Sequence, residues 1–256
     1  MDKKINMKKI LIIGESCNDL YSYCKTSRLA PEAPVPVVQP VSEISVGGMA
    51  MNVYQNVKSI GIEVDIFTNS NWKKISKHRF IDDRTNQMFL RVDSNDQAYG
   101  RIDLSNINFS SYDSIIISDY DKGYLTKEDI EFICKSHNYV FLDTKKILGD
   151  WAKSAKFIKI NNYEYEASEK YIGDTLYESL IITLGSKGCQ HKNTTYPVPE
   201  VDVKDTCGAG DTFIAALVCD FIFSNNIEQS IQFANKCATQ VIQKRGTEKT
   251  NLKIQI

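Results

Sequence analysis

The sequence predicts an α/β fold: a central, mostly parallel sheet flanked by helices, with a small β lid. Three observations carry that prediction. Short β-branched apolar runs, such as Lys9–Gly14 (KILIIG) and 114–118 (SIIIS), read as buried strands. They alternate with helical stretches, the pattern of a parallel sheet with helical crossovers. Pro31, Pro34, Pro36 and Pro40 interleave with Val35, Val37, Val38 and Val41. Proline cannot donate to a ladder, so this segment reads as extended edge structure, a small sheet lying over a site.

The elements follow in order. The run at 9–14 stops at Gly14. Gly47-Gly48 precedes an apolar-periodic helix over 49–60, which Gly61 ends as a C-cap. Residues 63–68 form the next strand. Residues 69–86 are polar and resist assignment. Strands follow at 87–93 and 114–118. Thr126 and Asp129 stand as a variant capping box at the head of a helix over 126–136. Strands at 139–143, 157–160 and 180–184 come next, the last running into Gly185. The helix over 208–223 is apolar on most sides and should be buried. A final helix spans 227–244. No repeat, low-complexity tract or linker interrupts the chain, so residues 1–256 read as a single domain with a lid subregion around 15–45.

Bulk properties exclude several function classes. The 256 residues are 42% hydrophobic and 25% charged, with a formal net charge of −1. That balance gives no broad attraction to nucleic acid or to an anionic membrane. No apolar run approaches the roughly 20 residues that span a bilayer. The N-terminus is basic, but the apolar stretch at 10–13 is too short for a signal peptide, and Met7 is an alternative start. Seven cysteines, an odd number without C-x-x-C spacing, argue against a disulfide framework or zinc site and for reduced cytoplasmic thiols. His78, His137 and His191 are scattered, which disfavours a histidine metal site or a Ser-His-Asp triad.

The strongest chemical feature is Cys207-Gly208-Ala209-Gly210-Asp211, where a helix begins. Small residues let backbone approach a ligand closely, and the free N–H groups and dipole of a helix start favour an anion such as phosphate. Beside a phosphate, Asp211 becomes a candidate base for an attacking hydroxyl. Taken alone, the segment reads equally as a glycine-rich helix start with a first-turn Asp. It is not a Walker A loop, because the Lys-Ser/Thr ending is missing. It is not the G-x-G-x-x-G fingerprint, because residue 213 is Phe.

Asp205-Thr-x-Gly-Ala-Gly-Asp211-Thr resembles the C-terminal signature of the ribokinase-like (PfkB) carbohydrate kinases, and Gly47-Gly48-x-Ala-x-Asn52 resembles their N-terminal signature. Further segments are similar to the kinase domain of bifunctional heptose 7-phosphate kinase/heptose 1-phosphate adenylyltransferases. They are Gly14-x-x-x-x-Asp19, 26–38, 86–93, Ser118-Asp-Tyr-Asp-Lys-Gly123, Asn161-x-x-Glu164 and Phe233-Ala-Asn235. The matches occur in order and span nearly the whole chain.

The resemblance implies a ribokinase-like fold, ATP and Mg²⁺ as cofactors, and sugar phosphate as acceptor, with a monovalent cation left open. Asp211 would be the base, and Gly208, Ala209 and Gly210 the anion hole. Asn161 and Glu164 would help position Mg²⁺, through water, and the phosphates; an amide and a carboxylate suit water around Mg²⁺. Alone, the pair reads equally as a polar loop before a helix. Thr183, Gly185 and Gly188 would form a nucleotide-binding edge, or an ordinary turn, and Asn235 would lie near adenine. Asp19, Gly47, Gly48 and Asn52 match positions that hold sugar hydroxyls. Arg28, Lys122 and Lys145 are cation candidates for an acceptor phosphate. Lys77 and Arg79 share a face if they lie on a strand.

The departures matter. Relatives continue after the strand at 63–68 through another helix and strand carrying Gly-Asp-x-x-Gly, and residues 69–86 replace that stretch here. Asp121 stands where heptose relatives more often have Gly. No adenylyltransferase domain follows Ile256, so the kinase half-reaction alone is expected. The resulting expectation is ATP-dependent phosphorylation of the anomeric hydroxyl of D-glycero-D-manno-heptose 7-phosphate, in a cytoplasmic homodimer paired through its lid strands. The rivals are a kinase for another sugar or nucleoside, and a catalytically weak sugar- or nucleotide-binding module of the same fold. A Rossmann oxidoreductase is disfavoured, because Gly14-Glu-Ser-Cys follows the first strand.

Overall fold

A computed structural model describes residues 8–97 and 99–254; Met7 and Ile256 lie outside the described residues. The chain begins with β1 (Lys9–Gly14), then a long hairpin of β2 (Ser16–Leu29) and β3 (Pro36–Met49), then α1 (Ala50–Ile60) and β4 (Glu63–Phe67). Two more strands, β5 (Ser76–Asp82) and β6 (Met88–Ser94), precede β7 (Ser114–Asp119). The remainder alternates: α2 (Lys127–Ser136), β8 (Val140–Thr144), β9 (Phe157–Asn161), α3 (Asn162–Ser168), α4 (Asp174–Ser179), β10 (Leu180–Thr183), β11 (Cys189–His191), β12 (Thr194–Tyr196), α5 (Ala209–Ser224) and α6 (Ile227–Val241).

The main sheet has the order β12-β11-β10-β9-β8-β7-β1-β4. From β10 to β4 every pairing is parallel; β11 and β12 add an antiparallel edge. The strands read as continuous apolar runs because both faces are covered. Leu11, Ile13, Ile115 and Ile117 face α2, while Ile10, Ile12 and Ile116 face α1, α5 and α6. β1 and β7 approach so closely that a Cβ on Gly14 would lie 1.9 Å from the Ser118 carbonyl oxygen, so only glycine fits.

A second sheet, β3-β2-β5-β6, forms the lid. It draws strands from 76–94 as well as from the hairpin that 15–45 anticipates. β5 escapes a hydrophobic reading because its inward positions are Lys77 and Arg79, both buried, so its apolar periodicity is inverted. They do share a face.

The helix ends behave as their residues dictate. Thr126 and Asp129 close a complete capping box on α2. Gly61 ends α1 in the left-handed conformation, φ 107°. α5 lies between α1 and α6 against the sheet, and its apolar sides are buried accordingly.

Candidate active site

α5 opens on Gly208, whose φ of 77° is left-handed, and no side chain caps the helix. The first helical bond runs from the Thr212 N–H to the Gly208 carbonyl at 2.9 Å and the Ala209 N–H turns back to the Thr206 carbonyl at 3.3 Å, which leaves the Gly210 and Asp211 N–H groups at the open helix mouth. The loop before it is pinned by Asp205, which accepts the Cys207 N–H at 2.8 Å and the Gly246 N–H at 3.2 Å. An uncapped helix start with glycines at its mouth is an anion seat.

Asp211 sits in that first turn and is 5% exposed. The Asn52 Nδ2–H donates to Oδ2 at 2.9 Å, and the Tyr120 hydroxyl donates to Oδ1 at 2.6 Å. Burial pushes the carboxyl up to about 6; the two hydrogen bonds oppose that rise, Asp143 adds to it and Lys159 opposes it. Asp211 is therefore an ionised acceptor near neutrality, with a proton affinity suited to a general base.

A cavity of about 240 Å³ opens beside Asp211, lined also by Tyr120, Asp143, Lys145, Lys159, Asn161 and Thr183. Its walls are the carboxyl ends of β7 to β10, beyond the point where the chain departs in opposite directions from β1. Open α/β sheets bind ligands in such crevices. Lys159 and Asp143 form a buried pair at 2.8 Å. A Cβ on Gly210 would lie 2.8 Å from the Lys159 ammonium, so this cation rests against the helix mouth.

Asn161 and Glu164 are a reciprocal capping box on α3. The Glu164 N–H donates to Asn161 Oδ1 at 2.9 Å, and the Asn161 N–H donates to Glu164 Oε2 at 2.7 Å. Glu164 Oε1 also takes the Lys145 ammonium. Asn161 is the last residue of β9 and Glu164 lies in the first turn of α3, so the strand runs straight into the helix without the polar loop that the sequence also allowed. No group of three or more His, Cys, Asp or Glu side chains able to hold a metal occurs among the described residues. One carboxylate and one amide, already bonded to protein donors, suit a hydrated Mg²⁺ rather than direct ligation.

On the other side of Asp211, Arg79 Nη1 donates to Asp19 Oδ1 at 2.7 Å, and both side chains are buried. Gly48 is obligatory there, because a Cβ would lie 2.1 Å from Asp19 Oδ2. Lys77 and Lys122 converge on Asp96 at 3.3 and 2.5 Å. Asn52, Gly48, Asp19 and Lys122 are thus brought around one end of the sheet.

Other sequence candidates stand apart or have structural work. Arg28 is exposed near the far end of β2. Gly185 and Gly188 shape the turn between β10 and β11 with φ of 60° and 85°. Asn235 donates to the Tyr196 carbonyl at 3.0 Å, pinning the edge strand. A Cβ on Gly47 would strike Met51. Sequence reasoning assigned no role to Tyr120, Asp143, Lys159 or Glu15. Their common signal is position: each lies at or near the carboxyl end of a parallel strand.

Comparison with known proteins finds similarity in the part of the chain that holds the site. Residues 156–254 match the model of the pfkB family carbohydrate kinases. The matched stretch carries Asn161, Glu164 and the whole 205–212 signature. The pfkB match names the class to which the motifs point, that of carbohydrate kinases. The chain is 30% identical over 303 residues to the bifunctional protein HldE of Helicobacter acinonychis, covering 96% of this chain and 65% of that protein. It therefore spans a little under two thirds of that relative's length. Among solved structures, the Methanocaldococcus jannaschii nucleoside kinase of the ribokinase family superposes with a TM-score of 0.71 at 17% identity, covering 96% of this chain and 95% of that one. Arabidopsis thaliana ribokinase, complexed with ribose and ATP, superposes with a TM-score of 0.66 at 13% identity, covering 95% and 96%. The fold is ribokinase-like.

Proposed function

We propose that this chain transfers the γ-phosphoryl of ATP to the anomeric hydroxyl of a sugar phosphate, D-glycero-D-manno-heptose 7-phosphate being the acceptor that the similarity to HldE favours. The observation that carries the reading is Asp211, an ionisable carboxylate at an uncapped helix start that opens on a polar cavity. The acceptor oxygen attacks the γ-phosphorus, its proton passes to Asp211, and the bond to the β–γ bridging oxygen breaks to release ADP. The first-turn amides of α5 and the Lys159 ammonium stabilise the charge on the transferred group. Asn161 and Glu164 would hold Mg²⁺ through water, and the ion would supply neutralisation of the phosphate charge.

Three cations, Lys77, Arg79 and Lys122, meet two carboxylates, Asp19 and Asp96, on the acceptor side. Those cations offer partners for a phosphorylated acceptor that a neutral one would leave unused. The lid excludes water from the transfer. Its edge strands, β3 and β6, support pairing between two copies. Seven unpaired cysteines suit a reducing, cytoplasmic compartment.

The test is phosphate transfer from ATP across a panel of sugar phosphates, neutral sugars and nucleosides. Turnover of heptose 7-phosphate well above the neutral compounds is expected. Preferential turnover of neutral sugars refutes the acceptor assignment, and no sugar-dependent turnover at all favours a binding module.

A further inference from the structure

We propose that Tyr120 is the positioning residue for the Asp211 carboxylate, holding one oxygen so that the free lone pairs face the acceptor hydroxyl. The inference rests on Asp211 being the base. Tyr120 touches Oδ1 at 2.6 Å and Asn52 touches Oδ2 at 2.9 Å, one donor on each oxygen. Two donors on opposite oxygens fix the carboxylate plane, and an ionised carboxylate retains acceptor sites beyond these two.

Tyr120 is itself held from behind. Its backbone N–H donates to Glu15 Oε2 at 2.8 Å, and the Lys122 N–H donates to Glu15 Oε1 at 3.2 Å. Glu15 is wholly buried just past the end of β1, so this carboxyl ties the turn after β7 across the opening of the sheet. The Lys145 ammonium lies 5.6 Å from the centre of the Tyr120 ring. The Tyr120 turn is thus anchored on the side opposite Asp211, and the hydroxyl has one place to point.

The phenol does not compete for the role of base. Burial, then the neighbouring Asp211 and Asp143 carboxylates, raise it well above its ordinary value, so it stays a donor. The groups around Asp211 come from every neighbouring element: Cys17 and Asp19 from β2, Asn52 from α1, Asp143 from β8, Lys145 just past β8 and Lys159 from β9. Of these, Tyr120 and Asn52 make the hydrogen bonds that favour the ionised carboxylate. Removing the Tyr120 hydroxyl therefore makes Asp211 harder to ionise, whatever it does to packing.

The experiment is the pH profile of kcat/KM for the acceptor between pH 5 and 8, for the wild type, Tyr120→Phe, Glu15→Gln and Asp211→Asn. Tyr120→Phe should move the acid limb up by about one pH unit, leaving kcat/KM about fivefold down at pH 6 and recovering towards pH 8. Glu15→Gln, which removes one of the two acceptors behind the turn, should move the limb the same way by less. It stands in should Tyr120→Phe not fold. A limb that stays put in whichever variant folds, with activity unchanged or lowered equally at every pH, overturns the proposal. Asp211→Asn separates the two claims. Wild-type turnover in that variant ends the reading of Asp211 as base, whereas a dead Asp211→Asn with an unmoved limb ends only the role of Tyr120.

Discussion

Replacing Asp211 by asparagine should remove turnover and, at alkaline pH, stabilise the fold. Burial holds this carboxyl at about 6 against an ordinary 3.8. The folded protein therefore binds the Asp211 proton more tightly than the unfolded chain does. The stability contributed by that proton is complete below about 3.8 and is lost as pH rises through about 6. At about 1.4 kcal/mol for each tenfold change in proton affinity, a fully ionised Asp211 costs the fold about 3 kcal/mol at pH 8. At pH 4.5, where the folded carboxyl is mostly protonated, the same linkage leaves a cost of about 1 kcal/mol.

Asparagine carries no such charge and has nearly the same shape. Its oxygen accepts from Asn52, and its N–H₂ faces the Tyr120 hydroxyl, whose proton rotates away. Urea unfolding of the two proteins at pH 8 and pH 4.5 reads the difference directly. The variant should gain up to about 3 kcal/mol at pH 8 and about 1 kcal/mol at pH 4.5, alongside a near-complete loss of phosphate transfer. A variant less stable than the wild type at pH 8, or a gap independent of pH, refutes the burial argument. Retained turnover refutes the assignment of the base.

Gly48→Ala puts a Cβ 2.1 Å from Asp19 Oδ2 and must displace that carboxylate from Arg79. Steady-state kinetics should show the acceptor KM rising about tenfold or more with the ATP KM little changed, since the pair is buried and remote from the nucleotide side. Thr126→Ala removes the N-cap of α2, where the side chain accepts the Asp129 N–H at 3.2 Å. Thermal or urea unfolding should show a loss of about 1 kcal/mol, with kcat unchanged because α2 packs on the face of the sheet opposite α5.

Several elements of the fold were legible in the sequence for a local reason. The capping box of α2 needs residues three apart, and the Gly61 cap needs only one glycine at a helix end. Asn161 and Glu164 are likewise three apart, the spacing of a capping box, although the structure joins β9 to α3 with no loop between them. The alternation of β1, β7, β8 and β9 with helical stretches announced a parallel sheet. β5 was not legible, because Lys77 and Arg79 occupy its inward face and charge masks the strand period. The short β11 and β12 carry too few residues for a pattern to emerge.

By itself, the sequence determined the sheet, the principal helices and a phosphate-friendly helix start ending in Asp211, because each depends on neighbours a few residues apart. Only the tertiary structure decided what that aspartate can do. Asn52 lies 159 positions away and Tyr120 lies 91 away, yet each donates to one of its oxygens. Asp143 and Lys159 reach the same cavity from adjacent strand ends. Burial then lifts the carboxyl towards neutrality, and burial is a property of everything packed around a group, which no short stretch of sequence encodes.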